Sequence, residues 1–494
     1  MHRAITLAAF VLLAIQALPY FQHRWVEDES WYSLPATTLL RTGELRNPAL
    51  PATDYESKVD TRPPLMPLSL AGSFFLLGTS VAAARMGEFF AALLTLLIVY
   101  RIGSELGNVM AGALAALLLG VDTFFVLASR TARPEEWVAL FSSCALLFAL
   151  RQRKATDYLW AGVFLAAACN FHILGLAPAG AIFILLVYQK RAGVMRSRQL
   201  WMLAAGFVIG VLPVVIWLTS SATNMEAARH MYGRSAGASV AETILKEGGR
   251  WADFIGISNQ RLHLPFPVPL RLHIALAILG AFAVLWYRNR TLFNIFAIVT
   301  IPQLIWWMRL PNATARYFAV VAPLFALVTA FALTSLTDRT RWFRVGVGIY
   351  IVCVISQVAG NLIILNQARK ADYVSLGARL RQAVPLGHSC YAAMTFQFAF
   401  YDYGCHSYDR TPFSYTAEIQ RPEYLILGDR VMMAGSGRGE DDFREVRQMA
   451  FAFVEQRGEL TSEVDDPFYG HLKIFRVSYD SQSGPPNSRT APNH

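Results

Sequence analysis

Long apolar stretches separated by short polar breaks fill the first three quarters of the chain. Stretches close to the ~20 residues that cross a bilayer lie at 4–22, 83–101, 109–128, 136–150, 157–171, 173–188, 200–219, 271–287, 291–308, 317–336 and 344–365. A further stretch, 64–80, follows Pro63-Pro64 and merges with 83–101 into a length too great for one span. After residue 366 the pattern changes. Short β-like runs (Cys390–Phe400, Glu423–Leu427, Lys473–Tyr479) surround a helical Ala371–Ala383, which predicts a small α/β domain over 366–480. The Ser/Pro/Asn-rich stretch 481–494 reads as a disordered tail.

Charge placement turns the apolar runs into a topology. Basic residues cluster at Arg151, Arg153 and Lys154, at Lys190, Arg191, Arg196 and Arg198, at Arg288 and Arg290, and at Arg339, Arg341 and Arg344. Short loops this rich in Lys and Arg face the cytoplasm, and an even number of spans separates each from the next. Counting back, the N-terminus lies inside only if 64–80 does not cross. That run is therefore expected to be a re-entrant or interfacial helix within the first outer loop, 23–82. Eleven spans result, forming a membrane core over 1–365, with 366–480 on the extracytoplasmic side of a plasma membrane.

Composition agrees. Of the 494 residues 54% are apolar and only 16% charged, with a mean hydropathy of +0.36; a soluble domain carries about 25% charged residues. The net charge of +10 belongs to the cytoplasmic loops, so the partner it implies is the bilayer and not nucleic acid. Five cysteines are too few for a disulfide framework. Cys144, Cys169 and Cys353 lie in apolar runs, whereas Cys390 and Cys405 lie in the polar C-terminal part and can pair in an oxidising compartment.

Polar chemistry collects at the outer ends of the spans. The first outer loop carries Glu27-Asp28-Glu29 with Trp31 and Tyr32 just behind. An acidic triplet can be a solvated loop end, but Asp28 and Tyr32 are four apart and share a helical face, and ionisable groups at membrane level are commonly functional. Arg130, Arg133, Glu135 and Glu136 occupy 129–136, His172 sits between two spans, Arg62 precedes 64–80, and Arg316-Tyr317 opens the run 317–336. Each has a bland reading: Arg133 is within reach of Glu136, His172 suits an interface, Arg316 can snorkel. Together they suit an acid–base group with cationic clamps for an anionic head group. Phosphate-loop, zinc-protease, C-x-x-C and dinucleotide motifs are absent. The sequon Asn312-Ala-Thr314 is a common chance match.

The order Asp28-Glu29, Tyr32, Gly43, Arg62-Pro63-Pro64-Leu65, Ala83-x-Arg85, Arg133-Pro134-Glu135, then Arg316-Tyr317 with Pro323, resembles the integral-membrane C-type glycosyltransferases. The resemblance is to the family 39-like group of protein O-mannosyltransferases and lipid A aminoarabinose transferases, and it covers about residues 1–365. It implies transfer of a sugar from a polyprenyl-phosphate-linked donor to a glycolipid, glycan or protein acceptor on the extracytoplasmic face. It assigns Asp28 as the catalytic base and Arg62 as a donor-phosphate contact. His172 matches loosely a lysine of the aminoarabinose transferases. Those enzymes carry a Glu directly before the basic-Pro-Pro run. Thr61 stands there in this chain, with Asp60 one position earlier, so a divalent metal is not supported and no other cofactor is implied.

Mechanistically, an acceptor hydroxyl needs a base as it attacks the anomeric carbon. The departing lipid phosphate gains charge that fixed cations such as Arg62, His172 or Arg316 would stabilise, with Tyr317 alongside. Glu29, Tyr32, Arg133 and Glu135 are expected in support. Two other readings stay open: a ligase or polymerase of lipid-linked oligosaccharides, and a transporter or flippase of lipid-linked sugars.

Overall fold

A computed structural model describes residues 1–49, 63–151, 153–219, 248–249, 251–252, 254–256, 271–308, 315–336, 340–407, 417, 420–428 and 440–479. Arg62, Asp60, Thr61, the sequon and the tail 481–494 lie outside the described residues. The chain forms two compact units. One comprises Met1–Asn47, Ala52–Val374 and Met433–Gly437; the other comprises Pro48–Pro51, Ser375–Met432 and Arg438–His494.

The first unit is helical. In chain order its helices are α1 (His2–Ala17), α2 (Glu27–Thr42), α3 (Leu65–Leu77), α4 (Val81–Glu105), α5 (Val109–Val121), α6 (Thr123–Ala128), α7 (Glu135–Arg151), α8 (Ala155–Phe171), α9 (Leu176–Lys190), α10 (Arg198–Thr219), α11 (Leu272–Arg288), α12 (Arg290–Met308), α13 (Phe318–Thr334) and α14 (Thr340–Ala368). Among the described residues five helical stretches are long and apolar enough to cross a membrane: His2–Tyr20, Val81–Glu105, Ile173–Lys190, Arg198–Ile216 and Arg341–Ala368. Their apolar side chains are extensively exposed, as at Leu7, Phe90, Ile209 and Ile355. Exposed apolar surface on this scale is a liability in water and is solvated by acyl chains in a bilayer. The chain is a multi-pass membrane protein.

The run 64–80 becomes α3, whose 13 residues reach about 20 Å, short of the ~30 Å apolar core. The run 109–128, expected as one span, is instead broken. Asp122 ends α5, and its carboxylate accepts from the Phe124 and Phe125 backbone amides at 3.0 and 3.1 Å, starting α6. Arg271 closes on the same carboxylate at 2.6 Å, so the break carries a satisfied charge. Elsewhere small residues set the packing. In α8 and α10 a Cβ on Gly162 or Gly206 would collide with the facing backbone, the close approach that glycines permit between membrane helices.

The second unit holds a mixed five-stranded sheet of order β2-β1-β3-β5-β4, made of β1 (Cys390–Ala392), β2 (Cys405–Ser407), β3 (Tyr424–Gly428), β4 (Gly458–Asp466) and β5 (Gly470–Val477). The helix Tyr373–Ala383 forms where its pattern suggests. One expectation needs correcting, and three elements are additional to those expected. The run Cys390–Phe400 is a three-residue strand followed by the helical turns Met394–Gln397 and Phe398–Phe400. The strands β2 and β4 went unread, and so did the helix Glu440–Arg457. Cys390 and Cys405, register partners in parallel strands, form a disulfide.

Two experiments follow. In protein freed of its native thiols, cysteines at Glu44 and Thr79 should label from one side of the membrane and one at Ser104 from the other; opposite labelling of 44 and 79 would make α3 a span. Protein denatured from its native membrane without reductant should show three titratable thiols, those of Cys144, Cys169 and Cys353. Five thiols would refute the bridge, which for a loop of this length contributes about 3 kcal/mol.

Candidate active site

The site is built on a buried ion pair. The chain leaves α1 through a turn over Leu18–Tyr20, and the carbonyls behind it converge on one side chain from α4. Arg85 donates to the carbonyl oxygens of Tyr20 (3.0 Å), Phe21 (3.3 Å) and His23 (2.7 Å), and also to that of Arg24. Its remaining donors meet Glu29 in a two-point contact, both distances 2.8 Å. Both side chains are 0% exposed. The Glu29 carboxylate also accepts from the Val26 amide (3.1 Å) and the Ala132 amide (2.9 Å). The first contact fastens the start of α2, and the second ties α2 to the 129–134 corner. The Tyr20 ring packs under Arg85 and Arg130, 5.0 and 4.4 Å from its centroid.

Asp28, one residue before this anchor, lies with its side chain 26% exposed. Arg316 donates to its Oδ2 at 3.0 Å, and Arg133 donates to the same oxygen. Arg133 is itself held by Glu135, at 2.8 Å from Nη2 and 3.0 Å from Nε. Glu135, and not Glu136, is therefore its partner; Glu136 is fully buried with no hydrogen-bond partner among the described residues. The His172 ring lies 5.9 Å from that of Tyr317. Tyr32 is close enough to Arg133 to favour its charge. Asp28, Glu29, Tyr32, Arg133, Glu135, His172, Arg316 and Tyr317 thus gather in one region, drawn from distant segments of the chain.

Electrostatics sharpens the roles. Burial opposes ionisation of Asp28, but the charges of Arg133 and then Arg316 outweigh it and hold the carboxyl down at about 2. Burial holds His172 down to about 4, its strongest opponent being the Glu135 charge. Its Nδ1 accepts from the Leu174 amide at 3.1 Å, so the ring proton sits on Nε2. His172 is then neutral at neutral pH, a hydrogen-bond donor and not the fixed cation expected of it. Among the described residues no three His, Cys, Asp or Glu side chains converge as metal ligands, and no step is derived through a metal.

Arg85 carries the most structure yet stood in the sequence only as part of a motif. Its one signal was an arginine a few residues into an apolar span, a place where charge persists only with a partner.

This arrangement of helices is found in other proteins of known structure. Residues 61–217 match the family described as dolichyl-phosphate-mannose-protein mannosyltransferase. ArnT from Cupriavidus metallidurans has the same fold. With undecaprenyl phosphate bound, it matches over 98% of this chain and 99% of its own, at 13% identity and a TM-score of 0.63. In the apo state the TM-score is 0.67 at 14% identity, over 97% and 98%. The archaeal oligosaccharyltransferase AglB from Archaeoglobus fulgidus, solved with an inhibitory peptide and a dolichol-phosphate, matches over 98% of this chain and 75% of its own, at 12% identity and a TM-score of 0.55. No curated protein matches the sequence. The chain shares the fold of these solved structures.

Removing Arg85 alone should be severe, because it strands a buried carboxylate at a cost of about 3–5 kcal/mol. In a double-mutant cycle Glu29→Gln with Arg85→Gln should cost less than the sum of the singles, with a coupling of about 0.5–3 kcal/mol in thermal unfolding of the detergent-solubilised protein. Additive effects would show that the pair does not act as a unit.

Proposed function

We propose that the protein transfers a sugar from a polyprenyl-phosphate-linked donor to an acceptor hydroxyl on the extracytoplasmic membrane face, with Asp28 as the base. The observation that carries this reading is Asp28 itself, an ionised, partly exposed carboxylate bridged by Arg133 and Arg316. The undecaprenyl phosphate and dolichol-phosphate bound by proteins of the same fold support a lipid-phosphate donor.

The step balances without a further reactant. The acceptor oxygen attacks the anomeric carbon from one face as its proton passes to Asp28. The bond from that carbon to the phosphate oxygen breaks on the other face, and the lipid phosphate leaves with the electron pair. A phosphate leaving group needs no proton, so one carboxylate suffices, unlike the pair used in glycoside hydrolysis.

A carboxyl held near 2 is a weak base, and the two arginines are the cause. The same arginines are the groups suited to a phosphate. In this reading the donor phosphate draws Arg316 from Asp28, with Arg62 as a second contact, and the carboxylate becomes more basic only when the donor is in place. Arg133 stays with Glu135 and keeps Asp28 oriented. His172 Nε2–H offers a neutral donor beside them.

Transfer of labelled sugar from a synthetic polyprenyl-phosphate donor by the reconstituted protein tests the assignment. Asp28→Asn should lower turnover about 10²–10⁴-fold, as for a lost acid–base group, while donor binding persists. Arg62→Ala should weaken both, because the phosphate is present in the ground state and more charged in the transition state. Full activity in Asp28→Asn with none in Glu135→Gln would move the base to Glu135.

The pH dependence is a separate test. Asp28 is depressed by its arginines, so kcat/KM of the wild type should show no acid limb from this group above about pH 4, the ordinary carboxylate range. Removing Arg316 takes away a lowering influence, so Arg316→Ala should bring the limb up towards that range. An unchanged profile would show that Arg316 does not control the base.

A further inference from the structure

Away from the cluster around Asp28, α11, α13 and α14 bound a groove of about 1110 Å³ that no step above uses. Its lining runs along α11 from His273 to Arg288, a rise of about 22 Å, more than the ~15 Å of one leaflet's apolar half. Glycines open it. A Cβ on Gly280 of α11 or on Gly348 of α14 would meet nothing within 4 Å, so the facing helices leave space there instead of closing. The lining is apolar over most of its length, with Leu276, Val284 and Ile349 among it.

One end is different. Arg288, Tyr287 and Trp342 line the groove where α11 ends and α14 begins, and Arg341 and Arg344 stand exposed in the first turns of α14. None of these three arginines has a carboxylate partner among the described residues. Trp and Tyr are the side chains of the membrane–water interface, and clustered arginines are the chemistry of basic lipid pockets between helices on the cytoplasmic side. A groove apolar along its length and cationic at one mouth is complementary to a molecule with acyl chains and one anionic head.

We propose that this groove binds an anionic diacyl phospholipid of the cytoplasmic leaflet, its phosphate at Arg288 with Arg341 and Arg344 beside it and its chains along Gly280 and Gly348. The bound lipid fills a slot that would otherwise leave α14 unsupported on that side. The site is independent of the glycosyl-transfer chemistry at Asp28.

Thermal unfolding of the full-length protein in detergent, with phosphatidylglycerol or phosphatidylcholine of identical chains added, tests it. Phosphatidylglycerol should raise the unfolding midpoint clearly more than phosphatidylcholine. Arg288→Gln should weaken the apparent phosphatidylglycerol affinity about fivefold, the effect of one basic residue near an anionic lipid. The double variant Gly280→Leu with Gly348→Leu, which fills the slot with side chains, should lose the lipid-specific shift and keep its lipid-free midpoint. Equal shifts from the two lipids would reduce the site to ordinary bilayer contact and overturn the proposal. So would an undiminished phosphatidylglycerol shift in Arg288→Gln. A shift produced by a polyprenyl phosphate and not by phosphatidylglycerol would assign the groove to an isoprenoid carrier instead. If the double leucine variant does not fold, Arg288→Gln decides alone.

Discussion

The contact between Glu29 and Arg85 is the constraint on which the site's end of the bundle depends. Both side chains are wholly buried, and removing either would leave a naked charge where no water can solvate it. The pair is stabilised because the remaining donors and lone pairs find backbone partners: carbonyls of residues 20, 21, 23 and 24 on the arginine, amides of residues 26 and 132 on the carboxylate. Those partners belong to three segments that otherwise have little reason to meet. The exit of α1, the start of α2 and the 129–134 corner are therefore positioned by one interaction. Asp28 and Arg133 owe their meeting to it, since each lies one residue from a group that the pair fixes.

Asp28 obeys the opposite logic. Its partner Arg316 is less completely enclosed, with 17% exposure against 26% for Asp28 itself. A partly exposed pair gains less from its partner and loses less on parting. The same arginines that depress the carboxyl are the ones a phosphate would attract, so in the proposed reaction basicity and donor occupancy would be coupled by charge. In the proposed reaction Glu135 would limit that exchange. By holding Arg133 through two bonds it leaves Asp28 one fixed partner whatever Arg316 does.

Much of this was legible in the residues. The apolar runs located the helices, because apolar length is the strongest signal a membrane chain carries. Asp28, Arg133, Glu135, His172, Arg316 and Tyr317, expected together from the ends of the apolar runs, do lie together. The failures have physical causes. The span 109–128 was read whole because one aspartate barely changes an average over some twenty residues, yet Asp122 caps a new helix and meets Arg271, 149 positions away. The role of Arg85 was unreadable for the same reason, since its partner Glu29 lies 56 positions off. Strand β4 is polar over most of its length, so it offers no clear alternation to read. Arg133 prefers Glu135 to Glu136 through geometry at a helix start, which residue spacing alone does not resolve.

The buried pairs Glu29–Arg85 and Asp122–Arg271 and the more open pair Asp28–Arg316 distinguish scaffold from working charge. Arg271, with its side chain 3% exposed, is shared between Asp122 and Gln357, 2.6 and 2.9 Å away, and stacks over Phe124 and Phe254 at 4.6 and 5.1 Å. Like Arg85 it is enclosed by aromatic rings and fixed acceptors, so a ligand would have to pay the full cost of an unpaired buried charge to recruit it. Arg316 faces no such penalty. In a chain where nearly every charge at membrane depth must be paired, the group free to do chemistry is therefore not an unpaired one. In the proposed reaction it is the pair whose partner can be exchanged, Asp28 with Arg316.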